Sequence, residues 1–555
     1  MNASLGHWSR LPRAGASPTV AAAGVGLLVV VADNVSFWRT FLSAQSPSAS
    51  AAGATIALAL VLWLCATAVL CLLGVGRLAK PVWTVVLLVS AVAAHFIDTW
   101  GVLLDKSMMR NVLQTDAAEA ADLLSAGLLL DVLVRGVLPA ALLWRLPVQP
   151  ATVVGGFRSV LGLTLVTVLV LAAALAAFYP VYASTFRNHR ELRLQLVPSN
   201  LVGGLYGALK PRANQTMERI APDAYRESSA QRPLLVVLVV GETARADNFS
   251  LGGYPRPTNA ALDGKPVVYF SSVMSCGTDT ATSLPCMFSD LGADRFDLQQ
   301  AAQRENVLDV LQRMGVQVRW IENNSGCKGV CDRVPTGSVR GSAFCTEGDV
   351  CFDESLIEVA ASQWPAPERD ALVVLHQQGS HGPAYFKRYP NPGPYQPTCE
   401  TNRLQECDPK SLVNTYDNSI AYTSRTLARA IDRLDGLTAE RDVLLLYVSD
   451  HGESLGERGV FLHGLPRWIA PHEQLHVPLL MWMNAGAQSR LAPDSACLGK
   501  VAQSPATHDA LFHTLLGTFG VRSSAYQAAL DLLAAPRGEA ECPAASALAL
   551  PHRRP

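Results

Sequence analysis

The chain has 555 residues, more than one hydrophobic core normally supports, so at least two structural units are expected. Only 16% of its residues are charged and 49% are apolar or aromatic, with a mean hydropathy of +0.20, which excludes a disordered or fibrous chain. Lysine and arginine number 45 against 46 aspartates and glutamates, so no basic excess points to nucleic acid, and none is expected as a partner.

Five long apolar segments come first: Ala16–Asn34, Ala51–Val75, Pro81–Ile97, Leu123–Trp144 and Ser159–Phe178. Each is near the ~20 residues that carry a helix across a bilayer core. The first lacks a small-residue cleavage site and reads as an uncleaved anchor. Arg10, Arg13, Arg77, Lys80, Arg145 and Arg158 fall on one side of these spans, and Arg39, Lys106 and Arg110 on the other. That bias predicts a cytoplasmic amino terminus and an exported carboxy-terminal domain. Asp131 and Arg135, four apart in the fourth span, read as an ion pair facing the bundle interior.

The segment 181–230 interleaves Tyr182, Phe186, Leu192, Leu194 and Leu196 with Arg187, Arg190 and Arg193, as suits a bridge along a membrane surface. From residue 231 the pattern changes. Apolar runs at Leu234–Val240, Val316–Trp320, Ala371–His376, Asp442–Val448 and Val477–Met483 read as strands of a doubly covered parallel sheet. Helical stretches such as Ala301–Met314 and Ser419–Leu434 lie between them. The fold class is therefore a five-helix membrane bundle (1–180), the bridge (181–230) and an α/β domain with a mostly parallel sheet (231–555).

Ten of the twelve cysteines follow residue 270, in close-spaced pairs, as expected of an oxidising compartment. Spacing pairs Cys276 with Cys286, Cys327 with Cys331, Cys345 with Cys351 and Cys399 with Cys407, leaving Cys497 for Cys542.

In open α/β sheets, ligands bind beyond the carboxyl ends of the strands. Three of the runs are followed by acid or histidine clusters: Gly241-Glu242-Thr243, Ser380-His381-Gly382 and Ser449-Asp450-His451. Carboxylate oxygens and imidazole nitrogens converging from several strands suit Zn²⁺. A small-residue turn, Ser275–Ala281, precedes a helix start, where a hydroxyl could be activated by a metal and face the positive helix end. Sequence mechanics leave Thr278, Thr280 and Thr282 open as that nucleophile.

The runs VVGETARADNFSLGGY, SCGTDTATSLPCMFS, NNSGCKGVC, QQGSHGPAYFKRYP and VSDHGESLGERGVFLHG resemble those of the lipid A phosphoethanolamine transferases. This membrane group of the alkaline-phosphatase superfamily includes the mobile colistin-resistance enzymes, and the resemblance covers practically the whole chain. It implies that Thr280 is the nucleophile and that Glu242, Thr280, Asp450 and His451 bind zinc. It gives His381 and His463 roles in holding the substrate phosphate or a second zinc, and puts Asn324 and Lys328 against the phosphoethanolamine group. In NVLQTDAAEA it places Asn111, Thr115 and Glu119 beside the donor head group. The implied partners are phosphatidylethanolamine as donor, lipid A as acceptor and the Gram-negative inner membrane, with the chain a monomer. The alternative is a related transferase of phosphoethanolamine or phosphoglycerol acting on core sugar or periplasmic glucan. A sulfatase is disfavoured, because Thr280-Ala281-Thr282-Ser283-Leu284 lacks the Cys/Ser-x-Pro-x-Arg pattern. His376, His472, His476, His508 and His513 read as structural or surface histidines.

Overall fold

The computed structural model describes residues 15–543, apart from 46, 75, 116, 150–152, 190, 210–216, 228–231 and 346–350. Arg10, Arg13 and Arg190 lie outside the described residues. The chain divides into two compact units, one of residues 1–106 and 124–207, the other of 107–123 and 208–555. The division at 207 falls inside the bridge expected over 181–230, and the loop 107–123 groups with the second unit.

The first unit is helical. Helices α1 (Pro18–Ala32) and α2 (Val35–Ser43) are bent by 56° about Asp33-Asn34. The freed backbone groups are satisfied by Asn34, whose buried amide donates to the carbonyls of Val29 and Val197 and accepts from the Val197 N–H. Helices α3 (Ala49–Leu73) and α4 (Ala79–Trp100) follow. The two short helices α5 (Lys106–Gln114) and α6 (Ala117–Leu123) come next, before the chain turns into α7 (Ala126–Asp131) and α8 (Leu138–Arg145), joined through a π-helical turn at Val132–Val137. Helix α9 (Val153–Asn188) completes the set. Among the described residues, four helices are long and apolar enough to cross a membrane, five if the bent α1–α2 pair is one span.

Two details of this unit extend or alter the expectation. The expected Asp131–Arg135 ion pair is formed at 3.8 Å, and each residue has a closer partner on α4: Arg135 donates to Asp98 at 2.7 Å and Asp131 pairs with His95 at 2.7 Å. The π-helical turn widens the coil between residues 131 and 135, so each finds its closer partner on the neighbouring helix. The second detail is the start of the bridge, which is helical continuation. Helix α9 breaks at Phe178, contains Pro180 and runs on to Asn188, with α10 (Leu192–Gln195) and α11 (Ser199–Leu209) after it.

The second unit is built on an eight-stranded sheet. Its strands in chain order are β1 (Leu234–Gly241), β2 (Val267–Met274), β3 (Gln317–Glu322), β4 (Thr336–Ser338), β5 (Ala371–His376), β6 (Asp442–Ser449), β7 (His476–Met483) and β8 (Ala506–Thr507). In space they run β8-β2-β7-β6-β1-β5-β3-β4. All pairings are parallel except those of β7, which is antiparallel to both β2 and β6. Strands β1, β5 and β6 are buried at every position, as both-face coverage by helices requires. The expected helix over 301–314 is shorter, Val307–Arg313, started by an Asn306/Asp309 capping box. The one over 419–434 is longer, Pro409–Asp435. All five disulfides expected from spacing are formed: 276–286, 327–331, 345–351, 399–407 and 497–542.

Candidate active site

The central strands explain why residues 200 apart in sequence meet. Strands β1 and β6 are parallel neighbours with Gly241 opposite Ser449, so the next residues, Glu242 and Asp450, emerge side by side. On the other flank of β1, Val240 is opposite His376 at the end of β5, and the chain then returns through Gly379. Gly379 has φ +53°, and a Cβ there would sit 2.5 Å from the Glu242 carbonyl oxygen, so only glycine lets the loop lie against β1. Thr243, the residue after Glu242, has φ +51° and is fully buried, a strained position for a β-branched side chain and of the kind that clusters at functional sites.

The fourth contributor arrives on a helix. The turn after β2 leads into α12 (Thr280–Met287), whose N-cap Asp279 accepts from the Thr282 N–H at 2.9 Å. Thr280 is therefore the first residue of the helix. Its Oγ1 lies 3.1 and 3.3 Å from the two carboxylate oxygens of Glu242 and 3.3 Å from His451 Nε2. Thr278 points elsewhere and donates its hydroxyl to the Leu465 carbonyl at 2.6 Å. The Cys276–Cys286 bridge ties the turn to the helix.

Glu242, Asp450 and His451 are wholly buried, and their ligand atoms lie within 4.8 Å of one another. His451 Nδ1 stands 2.9 Å from the Gly452 carbonyl, which accepts its proton, so Nε2 is the nitrogen that faces Glu242, Asp450 and Thr280 and is left to bind a metal. Asp450 Oδ1 accepts the His451 N–H, but Oδ2 has no hydrogen-bond partner. Two buried carboxylates, one with an orphaned oxygen, an imidazole nitrogen and a hydroxyl converging on one point form a donor set that fits a divalent cation.

The electrostatics agree. Burial alone would raise Glu242, but its hydrogen bond to His451 and the His451 charge outweigh it and hold the carboxyl well below its usual range. Burial and then the Glu242 charge push Asp450 up to about 7. His451 is pushed up to about 10, against its burial, by Asp450 and Glu242. Metal-free, the cluster holds protons where a cation would sit.

Around this point stand the remaining residues. Asn324, in the loop after β3, donates to Glu242 Oε2 at 2.8 Å and to the Gln377 carbonyl at 2.9 Å. Lys328, at φ +52°, bonds to Ser325 at 2.9 Å in the loop closed by Cys327–Cys331. The His463 ring is 4.5 Å from that of His451 and 5.3 Å from that of His381. Burial lowers His381 to about 4; His463 falls to about 3 through burial and the His451 charge, so both rings are neutral. His463 Nδ1 is 3.3 Å from Glu453, a buried carboxyl that the sequence reading passed over although it lies in the VSDHGES run.

Asn111, Thr115 and Glu119 occupy α5, α6 and the turn between them. Thr115 donates to the Asn111 carbonyl at 2.8 Å, and the Glu119 charge acts on His381. The anchor of this segment is Asp122, which accepts from Arg388 at 3.0 Å and Lys387 at 2.5 Å while its carbonyl accepts from Asn402. Arg388 in turn donates to the His381 carbonyl at 2.7 Å. At the other end, Met108 packs against Gly464, next to His463. Asp122 carries no sequence signal for this role; Arg388 lies in the QQGSHGPAYFKRYP run but was not singled out. Of the histidines left without a role, His376 pairs with Glu322 at 2.9 Å and His508 spans the Ser449 carbonyl and the Cys276 N–H.

Residues 62–213 match the phosphoethanolamine transferase EptA/EptB family and residues 235–521 the sulfatase family. The chain is 43% identical over 467 residues to phosphoethanolamine transferase EptA of Escherichia coli K12, covering 82% of this chain and 85% of that one. It is 39% identical over 537 residues to phosphatidylethanolamine transferase Mcr-1 of Escherichia coli, covering 93% and 97%. It superposes on the integral membrane protein lipooligosaccharide phosphoethanolamine transferase A of Neisseria meningitidis with a TM-score of 0.88 at 34% identity, covering 93% and 98%. With this identity over nearly the full length and a sulfatase-family sheet in its second unit, the chain belongs to the EptA-type phosphoethanolamine transferases, membrane enzymes with a periplasmic catalytic domain.

Proposed function

We propose that this enzyme moves phosphoethanolamine from phosphatidylethanolamine to a lipid A phosphate through a covalent intermediate on Thr280, with zinc held by Glu242, Thr280, Asp450 and His451. The observation that carries the reading is the Thr280 hydroxyl, at the positive end of α12 and within 3.3 Å of both Glu242 and His451. The names of two relatives supply the substrates: a phosphatidylethanolamine transferase and a lipooligosaccharide phosphoethanolamine transferase.

Zinc bound there would lower the hydroxyl pKa of Thr280 and draw charge from the phosphodiester. In the first step Thr280 Oγ1 bonds to phosphorus, the bond to the diacylglycerol oxygen breaks, and that oxygen takes a proton. In the second step a lipid A phosphate oxygen bonds to phosphorus and Thr280 is released. Glu453 is held well above its usual range by burial and faces His463 Nδ1 at 3.3 Å. That pair can pass a proton toward the leaving oxygen, while neutral His381 offers an N–H to a non-bridging oxygen. Asn324 orients Glu242, and Lys328 supplies positive charge for the phosphoryl oxygens. Asn111, Thr115 and Glu119 receive the donor head group, the carboxylate of Glu119 matching its ammonium.

Added cationic groups on an anionic leaflet weaken its attraction for polycationic peptides such as polymyxins. Mass spectrometry of lipid A from cells with and without the gene tests the reading. Species heavier by one phosphoethanolamine are expected only with the gene; unmodified lipid A beside a modified core sugar would refute the acceptor.

A further inference from the structure

A second group of metal-ligating side chains lies away from the Thr280 cluster. Asp247 sits in the turn six residues beyond β1, His472 in the turn before β7, and His476 is the first residue of β7. Their ligand atoms all lie within 4.8 Å of one another. The two imidazole rings are 4.6 Å apart and tilted by 46°. Asp247 and His472 are exposed and His476 is half-buried, so an ion could enter from solvent and keep water in its open positions.

The orientation of His476 is the informative detail. Its Nε2 is 3.2 Å from the Ser271 carbonyl, a contact that requires Nε2 to carry the hydrogen. In the neutral ring Nδ1 then presents a lone pair. Nδ1 is buried, has no hydrogen-bond partner, and faces Asp247 Oδ1 at 3.6 Å. A lone pair opposed to a carboxylate oxygen is repulsive unless positive charge lies between them. A ring fixed through its far nitrogen by a backbone carbonyl, with the near nitrogen beside a second imidazole and a carboxylate, is the arrangement in which metal-binding histidines are held.

We propose that Asp247, His472 and His476 form a further metal site, taking a borderline divalent cation such as Zn²⁺ through two imidazole nitrogens and one carboxylate oxygen. The site joins three segments. The turn it clamps has a second duty: its Glu473 and Gln474 carbonyls accept the N–H groups of Glu453 and Gly452, just after Asp450-His451, and its Leu475 carbonyl accepts the Ser275 N–H at the head of the Thr280 turn. A cation there would hold the turn that supports both the candidate ligand loop and the nucleophile's turn.

The test uses the full-length protein in detergent, equilibrated with chelator-buffered Zn²⁺, with zinc per chain measured by mass spectrometry. Asp247→Asn and His472→Gln change exposed residues, and elution volume checks their fold; His476→Asn is the third variant. Each is expected to bind one equivalent fewer than wild type. Glu242→Gln, which strikes the other cluster, is expected to keep this equivalent, so failure of either site is read separately. Wild-type zinc content in both Asp247→Asn and His472→Gln would overturn the proposal and leave an imidazolium–carboxylate pair only.

Discussion

Replacing Asp122 by alanine removes the carboxylate that fastens α5 and α6 to the loop carrying His381. The Asp122 side chain is 10% exposed, Arg388 5% and Lys387 51%. Breaking a buried pair leaves an uncompensated charge and costs about 3–5 kcal/mol; the half-exposed Lys387 contact adds at most about 1 kcal/mol. Arg388 keeps its bond to the His381 carbonyl, so the lower end, about 3 kcal/mol, is the working figure. At 1.4 kcal/mol per tenfold, that is roughly a 100-fold rise in the undocked population of 107–123. Asp122→Asn, which keeps a weaker hydrogen bond, should lose about half as much free energy. Hydrogen exchange on the full chain in detergent reads this directly. Peptides from 107–123 should exchange about 100-fold faster in Asp122→Ala, with β1 and β6 unchanged, and KM for the donor lipid should rise more than kcat falls. Wild-type protection of 107–123 would refute the anchoring role, as would a loss spread equally through β1.

Because His451 and Asp450 are raised to about 10 and about 7, zinc binding at pH 7 should release between one and two protons. Calorimetry in buffers of different ionisation enthalpy measures that number, and heats independent of buffer would contradict it. Both groups have folded pKa values above their unfolded ones. The metal-free protein should therefore lose stability as pH rises from about 4 through 7 on account of Asp450, and on toward 10 on account of His451. Thermal unfolding of the chelated protein between pH 5 and 9 checks the sign. The Cys497–Cys542 bridge closes 45 residues and Cys327–Cys331 only 4. Chain entropy gives about 4 and about 2 kcal/mol, so paired serine variants should show the larger stability loss at the first. The second should show the larger activity loss, since its loop carries Lys328 and lies just after Asn324.

The runs Leu234–Val240 and Asp442–Val448 were legible because strands covered on both faces need no polar residue. Glu242 and Asp450-His451 stood out as the charged residues just past those runs, and they meet because β1 and β6 are neighbours that deliver consecutive residues to one edge. Strand β2 escaped because only Phe270 and Val273 of its eight positions are buried, so it is no unbroken apolar run, and the reversed direction of β7 leaves no mark in composition. The break at Asp33-Asn34 was equally silent, since its bonds go to Val197, 163 residues away. The same holds for the trio at 247, 472 and 476: two histidines four apart in a turn mean little until a distant aspartate is folded onto them. Asn324's bond to Glu242 joins two loops with no shared pattern, and only the family resemblance marked that residue.

The central claim is that the transferred group rests on Thr280. Full-length enzyme incubated with phosphatidylethanolamine and no acceptor, then digested and mapped by mass spectrometry, tests it most directly. The account predicts a phosphoethanolamine adduct on Thr280, abolished in Thr280→Ala. In Thr278→Ala it should persist, since the Thr278 hydroxyl is committed to the Leu465 carbonyl. An adduct on Thr278 or Thr282, or full turnover by Thr280→Ala, would contradict it.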